Sequence, residues 1–242
     1  MSEIKKIQYY IIFAFLCFLF IAPVQSQNPE IEVILTWSTN TYTPLNYPGK
    51  AMPSPSSIIE VAADIIPKSV NPQELNYRWF LNGNFEKNLS GFGKETFKFT
   101  DEGVIGNIYS IRLEVISQTG SILTSASQDI KIIEPEIALE TKTSLLDSSV
   151  WTSKKYLVLA NQETIFKIQP YFFNIRTIAE LNYQWILNGI RASQVGKDNP
   201  NIFIIETGQL TQTTEQSLKV LVENDKNVFQ KAQTSAELIF RP

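Results

Sequence analysis

The chain contains no histidine and only one cysteine among its 242 residues. A zinc site built from nitrogen and sulfur ligands is therefore excluded. A Ser-His-Asp or Cys-His triad is excluded as well, because each needs an imidazole as its base. The sequence predicts no bound cofactor and no catalytic or metal-binding residue, and it favours a protein that is not an enzyme.

The single cysteine, Cys17, lies inside an apolar run near the N-terminus. A lipid-modified N-terminus is not favoured, because Leu16 precedes the cysteine where a small side chain is needed. A chain processed after residue 26 would have no disulfide at all. Its stability would then depend on core packing alone.

An excess of basic residues is also missing. The chain has 21 Lys and Arg against 24 Asp and Glu, for a net charge of −3. No basic stripe runs along the sequence, so nucleic acid is not expected as a partner.

The first 26 residues have the layout of a secretory signal. Lys5 and Lys6 are followed by 14 apolar residues, 9–22, and then by the small-residue exit APVQSQ. Cleavage is expected between Ser26 and Gln27. An uncleaved membrane anchor is the alternative, although a spanning helix needs roughly 20 residues. Either outcome places the rest of the chain beyond the cytoplasmic membrane, in the periplasm, on the cell surface or in the medium.

One stretch of nine residues occurs twice. LNYRWFLNG at 75–83 returns as LNYQWILNG at 181–189, a separation of 106 residues. Large side chains at every second position predict a strand. The Asn-Gly pair that ends each copy predicts a tight hairpin turn, because both residue types tolerate a positive φ.

The similarity between the two halves extends well beyond this stretch. Four further pairs of segments align at nearly the same offset: 57–66 with 164–173, 95–99 with 201–205, 110–116 with 217–223, and 129–132 with 237–240. A period of about 106 residues is the length of a whole domain. The sequence therefore predicts two tandem domains, 27–134 and 135–242, joined stiffly at Pro135 without a Gly/Ser tether.

Each copy holds some seven short alternating segments separated by turn signals, the pattern of an antiparallel β-sandwich. The Tyr-x-Trp strand with its Asn-Gly turn resembles strand C of immunoglobulin-like (Ig-like) domains. It resembles more closely the polycystic-kidney-disease (PKD) type and related modules of bacterial surface proteins, and residues 106–115 resemble their penultimate strand. The resemblance implies an all-β exported protein made of two tandem Ig-like sandwiches. The Trp-Asp-Phe-Gly-Asp-Gly signature of typical PKD domains is absent, so the subfamily stays open.

Alternation places four aromatic residues in the two cores: Tyr77, Trp79, Tyr183 and Trp185. On a central strand, each tryptophan would fill the space between the sheets. Burying such a ring contributes roughly 3 kcal/mol or more.

The most irregular segment, 41–57, contains four prolines and one glycine and is no regular central strand. Aromatic residues on a rigid loop make good partner contacts. The candidate contact residues are Trp37, Tyr42, Tyr47 and Met52. The alternative is that the loop packs back over the end of its own sandwich.

The leading functional hypothesis is a non-enzymatic binding or structural module of the cell envelope. It would act as an adhesin, a spacer, or a component of a surface, pilus or secretion assembly, with a protein or surface polysaccharide as its partner. One alternative is an exported hydrolase that uses paired carboxylates. Another is a surface rod stiffened by calcium at the acidic turns 101–102 and 198–199.

Overall fold

The computed structural model describes residues 30–143, 146–151, 154–192 and 198–242, and this part of the chain is almost entirely β-strand. The strands are β1 (Glu32–Thr39), β2 (Ile58–Ile66), β3 (Asn76–Leu81), β4 (Asn84–Phe85), β5 (Gly91–Phe92), β6 (Thr96–Thr100), β7 (Ile108–Ile116), β8 (Ile122–Lys131), β9 (Glu136–Thr143), β10 (Leu146–Trp151), β11 (Lys155–Leu159), β12 (Glu163–Tyr171), β13 (Leu181–Leu187), β14 (Ile190–Arg191), β15 (Ile202–Glu206), β16 (Thr214–Asn224) and β17 (Asn227–Arg241). Among the described residues, helical structure is limited to 3-10 turns at Pro72–Glu74, Lys87–Leu89 and Ile178–Glu180.

The strands form four sheets, two in each half of the chain. The first half contains the sheets β1-β2-β6 and β4-β3-β7-β8, with β5 beside β3. The second half contains β10-β9-β12-β15 and β11-β17-β16-β13-β14. In the first half, β1, β2 and β6 face β3, β7 and β8, and in the second half, β9, β12 and β15 face β13, β16 and β17. This is the Ig-like arrangement. The prediction of an all-β, Ig-like chain is confirmed.

The repeated Asn-Gly pairs form the predicted hairpin turns. The φ angles are 49° for Asn82, 81° for Gly83, 49° for Asn188 and 79° for Gly189. A positive φ at both central residues is what a two-residue type I′ hairpin turn requires. The asparagine has a second role, because Oδ1 of Asn82 accepts a hydrogen bond from N of Ser110 at 2.9 Å. The turn is thereby tied to the next strand of its sheet.

Trp79 lies at the centre of the first core and has no solvent exposure. Its ring stacks on Phe97 with centroids 5.4 Å apart, so it joins the two sheets. Its Nε1 donates to O of Lys94 at 2.8 Å, which satisfies the polar atom of the indole. Both the apolar area and the donor are therefore accommodated within the sandwich.

The second core repeats this arrangement at Trp185, which is also fully buried. Its ring stacks on Phe203 at 5.3 Å, and its Nε1 donates to O of Pro200 at 3.0 Å. The repeated nine residues thus code for one strand, one turn and one inter-sheet contact in each half.

The two halves differ at one edge of the β-sheets. In the second half, β11 pairs in parallel with β17, so that Lys155–Leu159 covers Glu237–Arg241. In the first half, the corresponding chain is rich in proline and forms no strand beside β8 within the described residues. N of Ile133 instead donates to O of Pro53 at 2.9 Å. The proline-rich loop therefore does not continue as a strand of this sheet.

The 3-10 turn that leads into β13 is capped by Glu180. Its Oε1 accepts from N of Arg176 at 2.8 Å and from N of Thr177 at 3.0 Å, while Oε2 lies 3.0 Å from Nζ of Lys226. The bond from Lys226 and the two backbone donors hold the pKa of Glu180 at about 2, below its ordinary value of 4.5. The ionised carboxylate therefore stabilises the fold at neutral pH.

We expect Glu180→Gln to lower the melting temperature at pH 7 and to have less effect in acid. The depressed pKa means that the carboxylate contributes stability above about pH 4.5 and loses it as the pH falls towards about 2. Thermal melts of both proteins between these pH values measure the difference. Lys226→Met should bring the pKa of Glu180 in the folded protein closer to its ordinary value, which narrows the pH range over which this stability is lost. A difference in melting temperature between the wild type and Glu180→Gln that stays constant with pH would contradict the assignment.

Candidate functional site

The proline-rich loop between β1 and β2 contacts the second sandwich. N of Tyr42 donates to O of Phe173, and N of Phe172 donates to O of Tyr42, both at 2.7 Å. The Tyr42 side chain packs against the second core. The loop thus connects the two sandwiches, a role that the sequence interpretation did not include.

We call the contact between the proline-rich loop and the second sandwich the joint. A buried amide, Gln230, lies at its centre and has no solvent exposure. Its Nε2 donates to Oγ of Ser54 at 2.7 Å and to O of Pro55 at 2.9 Å, both on the loop. Its Oε1 accepts from N of Asn174 and from Nδ2 of Asn224, both at 2.9 Å, within the second sandwich. Every polar atom of the amide therefore has a partner, and the partners belong to both sandwiches.

Two more asparagine side chains reach from the second sandwich to the loop. Nδ2 of Asn174 donates to O of Ser56 at 3.1 Å, and Nδ2 of Asn227 donates to O of Pro55 at 2.8 Å. Both bonds are made to loop backbone, which no side-chain substitution on the loop removes directly. Both sandwiches belong to one compact unit, Glu32–Pro242.

The backbone at the joint adopts conformations that are unusual for its residues. Phe172 and Ser56 each have a φ of 63°, in the left-handed region that a bulky side chain such as phenylalanine rarely adopts. N of Ser56 is fixed by Oδ2 of Asp101 at 3.1 Å. Strained residues of this kind persist where the surrounding contacts over-determine them, and they are frequent at functional sites.

A groove of about 540 Å³ opens beside the joint. One wall is the loop. The opposite wall, which is also the floor of the groove, is formed by outward-facing side chains of β9 and β12. We call it the tyrosine groove. It is lined by Tyr42, Pro44, Leu45, Asn46, Tyr47, Pro48, Glu140, Lys167, Gln169 and Tyr171.

Tyr47 is held in place from several sides. Its ring meets Tyr171 edge-on at 5.5 Å and Phe172 at 5.7 Å. N of Tyr47 donates to O of Pro44 at 3.0 Å, which closes the turn. The ring also covers Gly49, where an added Cβ would lie 2.6 Å from Cζ of Tyr47. The glycine therefore leaves the space that the tyrosine ring occupies.

The floor of the groove carries two opposite charges. Glu140 on β9 lies directly opposite Lys167 on β12 in the strand register. Burial raises the pKa of Glu140, and the charge of Lys167 opposes that rise. Burial also raises the pKa of Tyr171, with the charge of Glu140 adding to the effect. The groove is thus partly desolvated but has no strong net charge.

Several polar groups of the groove are free to bind. Within the part of the chain that the structure describes, no hydrogen bond or ion pair within 4 Å engages the side chains of Glu140, Lys167 and Gln169 or the hydroxyl of Tyr47. These groups offer a carboxylate acceptor, an ammonium donor, and an amide and a hydroxyl that both donate and accept. Unpaired polar groups beside aromatic rings are typical of ligand sites.

A second groove, of about 600 Å³, lies at the linker between the sandwiches. Its apolar part includes the exposed side chains of Ile105 and Phe229. Three carboxylates, Glu134, Glu136 and Glu223, line it together with Lys231.

The four predicted contact residues occupy different places. Tyr42 and Tyr47 line the tyrosine groove. The Trp37 ring lies on β1 beneath Lys50, whose Nζ is 3.4 Å from the ring centroid. Met52 is half-buried and lies outside the residues that line the groove.

The other predicted residues divide between the cores and the N-terminus. Tyr77 has no solvent exposure, and Tyr183 is 5% exposed. Ser26 and Gln27 fall outside the described residues, as does the whole of the expected signal. In the chain that is described, no helix is both long enough and apolar enough to span a membrane.

Sequence reasoning missed the floor of the groove, which is formed by Glu140, Lys167, Gln169 and Tyr171. The alternation on β12 contained a usable signal, because Lys167, Gln169 and Tyr171 follow at every second position and face outward. The sequence did not indicate that a loop from the other sandwich would lie over them.

The carboxylate of Asp101, in the first acidic turn, accepts hydrogen bonds from the backbone. Oδ2 of Asp101 accepts from N of Ser56 at 3.1 Å and from N of Gly103 at 2.8 Å, and the side chain is almost fully buried. The described residues contain no group of three or more potential metal-binding side chains. The two backbone hydrogen bonds make the carboxylate a loop cap next to the joint.

No family model and no curated protein sequence matches the chain. Among solved structures, the chain is similar to three N-terminal domains of the Highly Immunogenic Outer Capsid protein (Hoc) of bacteriophage RB49, with 14% identity and a TM-score of 0.46, over 87% of this chain and 59% of that one. It therefore spans about three fifths of that structure.

Two further similar structures have lower scores. The SGBP-B protein of a Bacteroides ovatus mixed-linkage glucan utilization locus, in complex with a heptasaccharide, has 10% identity and a TM-score of 0.26, over 89% of this chain and 71% of that one. The FN1–FN3 domains of chicken CNTN1 have 9% identity and a TM-score of 0.30, over 84% and 65%. The Ig-like class of this chain follows from its own strand order and its repeated core, and the chain is a tandem of Ig-like β-sandwiches.

Proposed function

We propose that the chain is a non-enzymatic binding module of the cell envelope and that it engages its partner at the tyrosine groove. The observation that carries this proposal is the set of unpaired polar side chains beside Tyr47 and Tyr171. Tyrosine is among the residues that contribute most to binding energy at protein surfaces. The partner is a protein or a polysaccharide of the envelope.

The joint supports this function by fixing the groove in advance. One wall belongs to the first sandwich and the other to the second, so any motion between them would deform the site. The bonds of Gln230 and of the Tyr42 backbone oppose that motion. A site that is already organised loses less conformational entropy when it binds.

The chemistry of the groove favours binding over hydrolysis. Most glycoside hydrolases use two carboxyl groups, one on each side of the scissile bond. Of the residues that line the tyrosine groove, Glu140 alone carries a carboxylate.

The proposed location follows from the N-terminal segment. Residues 1–26 are proposed as an export signal or an anchor that places the two sandwiches outside the cytoplasmic membrane. The proposed domains are 27–134 and 135–242. In this arrangement, the tyrosine groove faces other components of the envelope.

Tyr47→Ala should reduce the binding of envelope material at least about tenfold, because it removes the ring that closes one wall of the groove. The measurement is the capture of components from an envelope extract of the source cells by the immobilised protein. Tyr47 is preferable to Tyr42, whose backbone and ring also belong to the joint.

Phe92→Ala is the matched control, since this ring is 59% exposed on the first sandwich and is not among the residues that line the groove. It should capture the same material as the wild type. Equal capture by all three proteins would place the contact elsewhere, and absence of capture by the wild type would contradict the proposal.

A further inference from the structure

We propose that the tyrosine groove binds an uncharged polysaccharide chain. This inference rests on the proposed function and names the class of ligand for the same site. Four features of the groove carry it: its aromatic rings, its mixture of donors and acceptors, its balanced charge, and the absence of a free strand edge on its floor.

The aromatic rings suit the faces of sugar rings. A pyranose presents clusters of C–H groups on its faces and hydroxyl groups around its rim. Tyr47 and Tyr171 offer apolar ring surfaces with a hydroxyl at the end of each, so they can pack on the C–H groups and still reach the rim. Leu45, which is fully exposed at the tip of the loop, extends the apolar wall.

The polar groups suit hydroxyls in particular. Each sugar hydroxyl donates one hydrogen bond and accepts others, so a site for it needs both kinds of partner close together. Glu140 accepts, Lys167 donates, and Gln169 does both. All three lie on two neighbouring strands, and none is occupied by another described side chain.

The charges favour an uncharged ligand. Glu140 and Lys167 lie opposite each other, so the groove has no excess of either sign. An acidic polysaccharide would meet the carboxylate, and a strongly basic peptide would meet the ammonium group. A neutral chain binds both groups through hydroxyls and meets no like charge.

The strands of the floor disfavour an extended peptide. Peptides that bind to sheets usually pair with the free backbone of an edge strand. Here β9 is paired on both sides, by β10 and β12, and β12 is paired on both sides by β9 and β15. Neither strand of the floor is therefore an edge strand of its sheet, although β15 pairs with β12 only as far as Lys167. The floor presents mainly side chains, which suits a glycan better than a strand.

The test is direct binding of the purified full-length protein to immobilised neutral hexasaccharides of glucose, mannose, galactose and N-acetylglucosamine, with a uronic acid hexasaccharide as the charged comparison. We expect at least one neutral probe to bind and the uronic acid probe to bind at least about tenfold more weakly. Affinity for the neutral probe should change little with salt, because no net charge is neutralised.

Four substitutions test the location of the binding. Tyr47→Ala and Gln169→Ala should each lower the affinity for the neutral probe at least about tenfold, while Phe92→Ala should leave that affinity unchanged. Gly49→Ala provides an independent variant, because the added methyl group must displace the Tyr47 ring without removing it. Melting temperatures show whether any loss reflects unfolding. Binding that survives both Tyr47→Ala and Gln169→Ala overturns the inference.

Treatment of the envelope extract separates this inference from the proposed function. Capture that is lost after periodate oxidation of vicinal diols, and kept after proteolysis, supports both. Capture that is lost only after proteolysis, and that still depends on Tyr47, overturns the polysaccharide and leaves the binding function in place. If the wild type binds neither a neutral probe nor the envelope extract, both the polysaccharide inference and the proposed binding function are overturned.

Discussion

Trp79→Ala is expected to lower the free energy of unfolding by about 3 to 5 kcal/mol, the usual cost of deleting a fully buried tryptophan ring. The ring has no solvent exposure and stacks on Phe97 across the sandwich. Its removal also leaves O of Lys94 without its indole donor. Because whole domains are stable by only about 5 to 15 kcal/mol, the loss is a large part of the total.

Denaturant unfolding, followed by circular dichroism, measures this change. Phe92→Ala removes an aromatic side chain that is 59% exposed and should alter the midpoint only slightly. Trp185→Ala should be as costly as Trp79→Ala, because the repeat places both indoles in the same geometry. A loss below about 1 kcal/mol for either tryptophan would mean that the cores do not depend on these rings.

Gln230→Ala should separate the unfolding of the two sandwiches. The amide makes hydrogen bonds to Ser54 and Pro55 on one side and to Asn174 and Asn224 on the other. Alanine leaves several of these groups buried without a partner, which costs about 2 to 4 kcal/mol in total. We expect one cooperative transition for the wild type and two for the variant.

Calorimetry tests the coupling, because a single two-state transition has equal calorimetric and van't Hoff enthalpies. Gln233→Ala is the matched control: it removes the same type of side chain from the same strand, at an exposed position. It should leave the unfolding unchanged. A single transition for Gln230→Ala, at the wild-type temperature, would show that the joint does not couple the sandwiches.

The repeated strand was the most predictable part of the fold. Alternation alone indicated that Tyr77 and Trp79 face inward, and the Asn-Gly pair alone indicated the turn. These are local signals, because a period of two residues and a positive φ depend on the residues themselves. The four other aligned segments also fall on strands.

Alternation gave an incomplete account of Phe80. Its position predicts an outward side chain, yet it is only 8% exposed. The Arg112 guanidinium lies 3.8 Å from its ring centroid, and Phe85 packs 5.6 Å away. Side chains from neighbouring strands therefore cover it, and a pattern read along one strand contains no information about its neighbours.

The candidate site was predictable only on one wall. Its composition marked the loop containing Tyr42 and Tyr47 as irregular and rich in contact residues. The other wall, at Glu140 and Lys167, lies between 93 and 125 residues further on and has no distinctive motif. The approach of the two walls depends on the inter-sandwich joint, which is a tertiary feature without a local signature.

The course of the loop affects how the protein can be divided. A cut at Pro135 follows the boundary of the sequence repeat and divides the chain into its two repeated halves. It would nevertheless leave Ser54 and Tyr42 in one fragment and their partners, Gln230 and Phe173, in the other. Each fragment would then expose polar and aromatic surface that the intact chain buries, so we expect each separated half to be less stable than the same half in the intact chain.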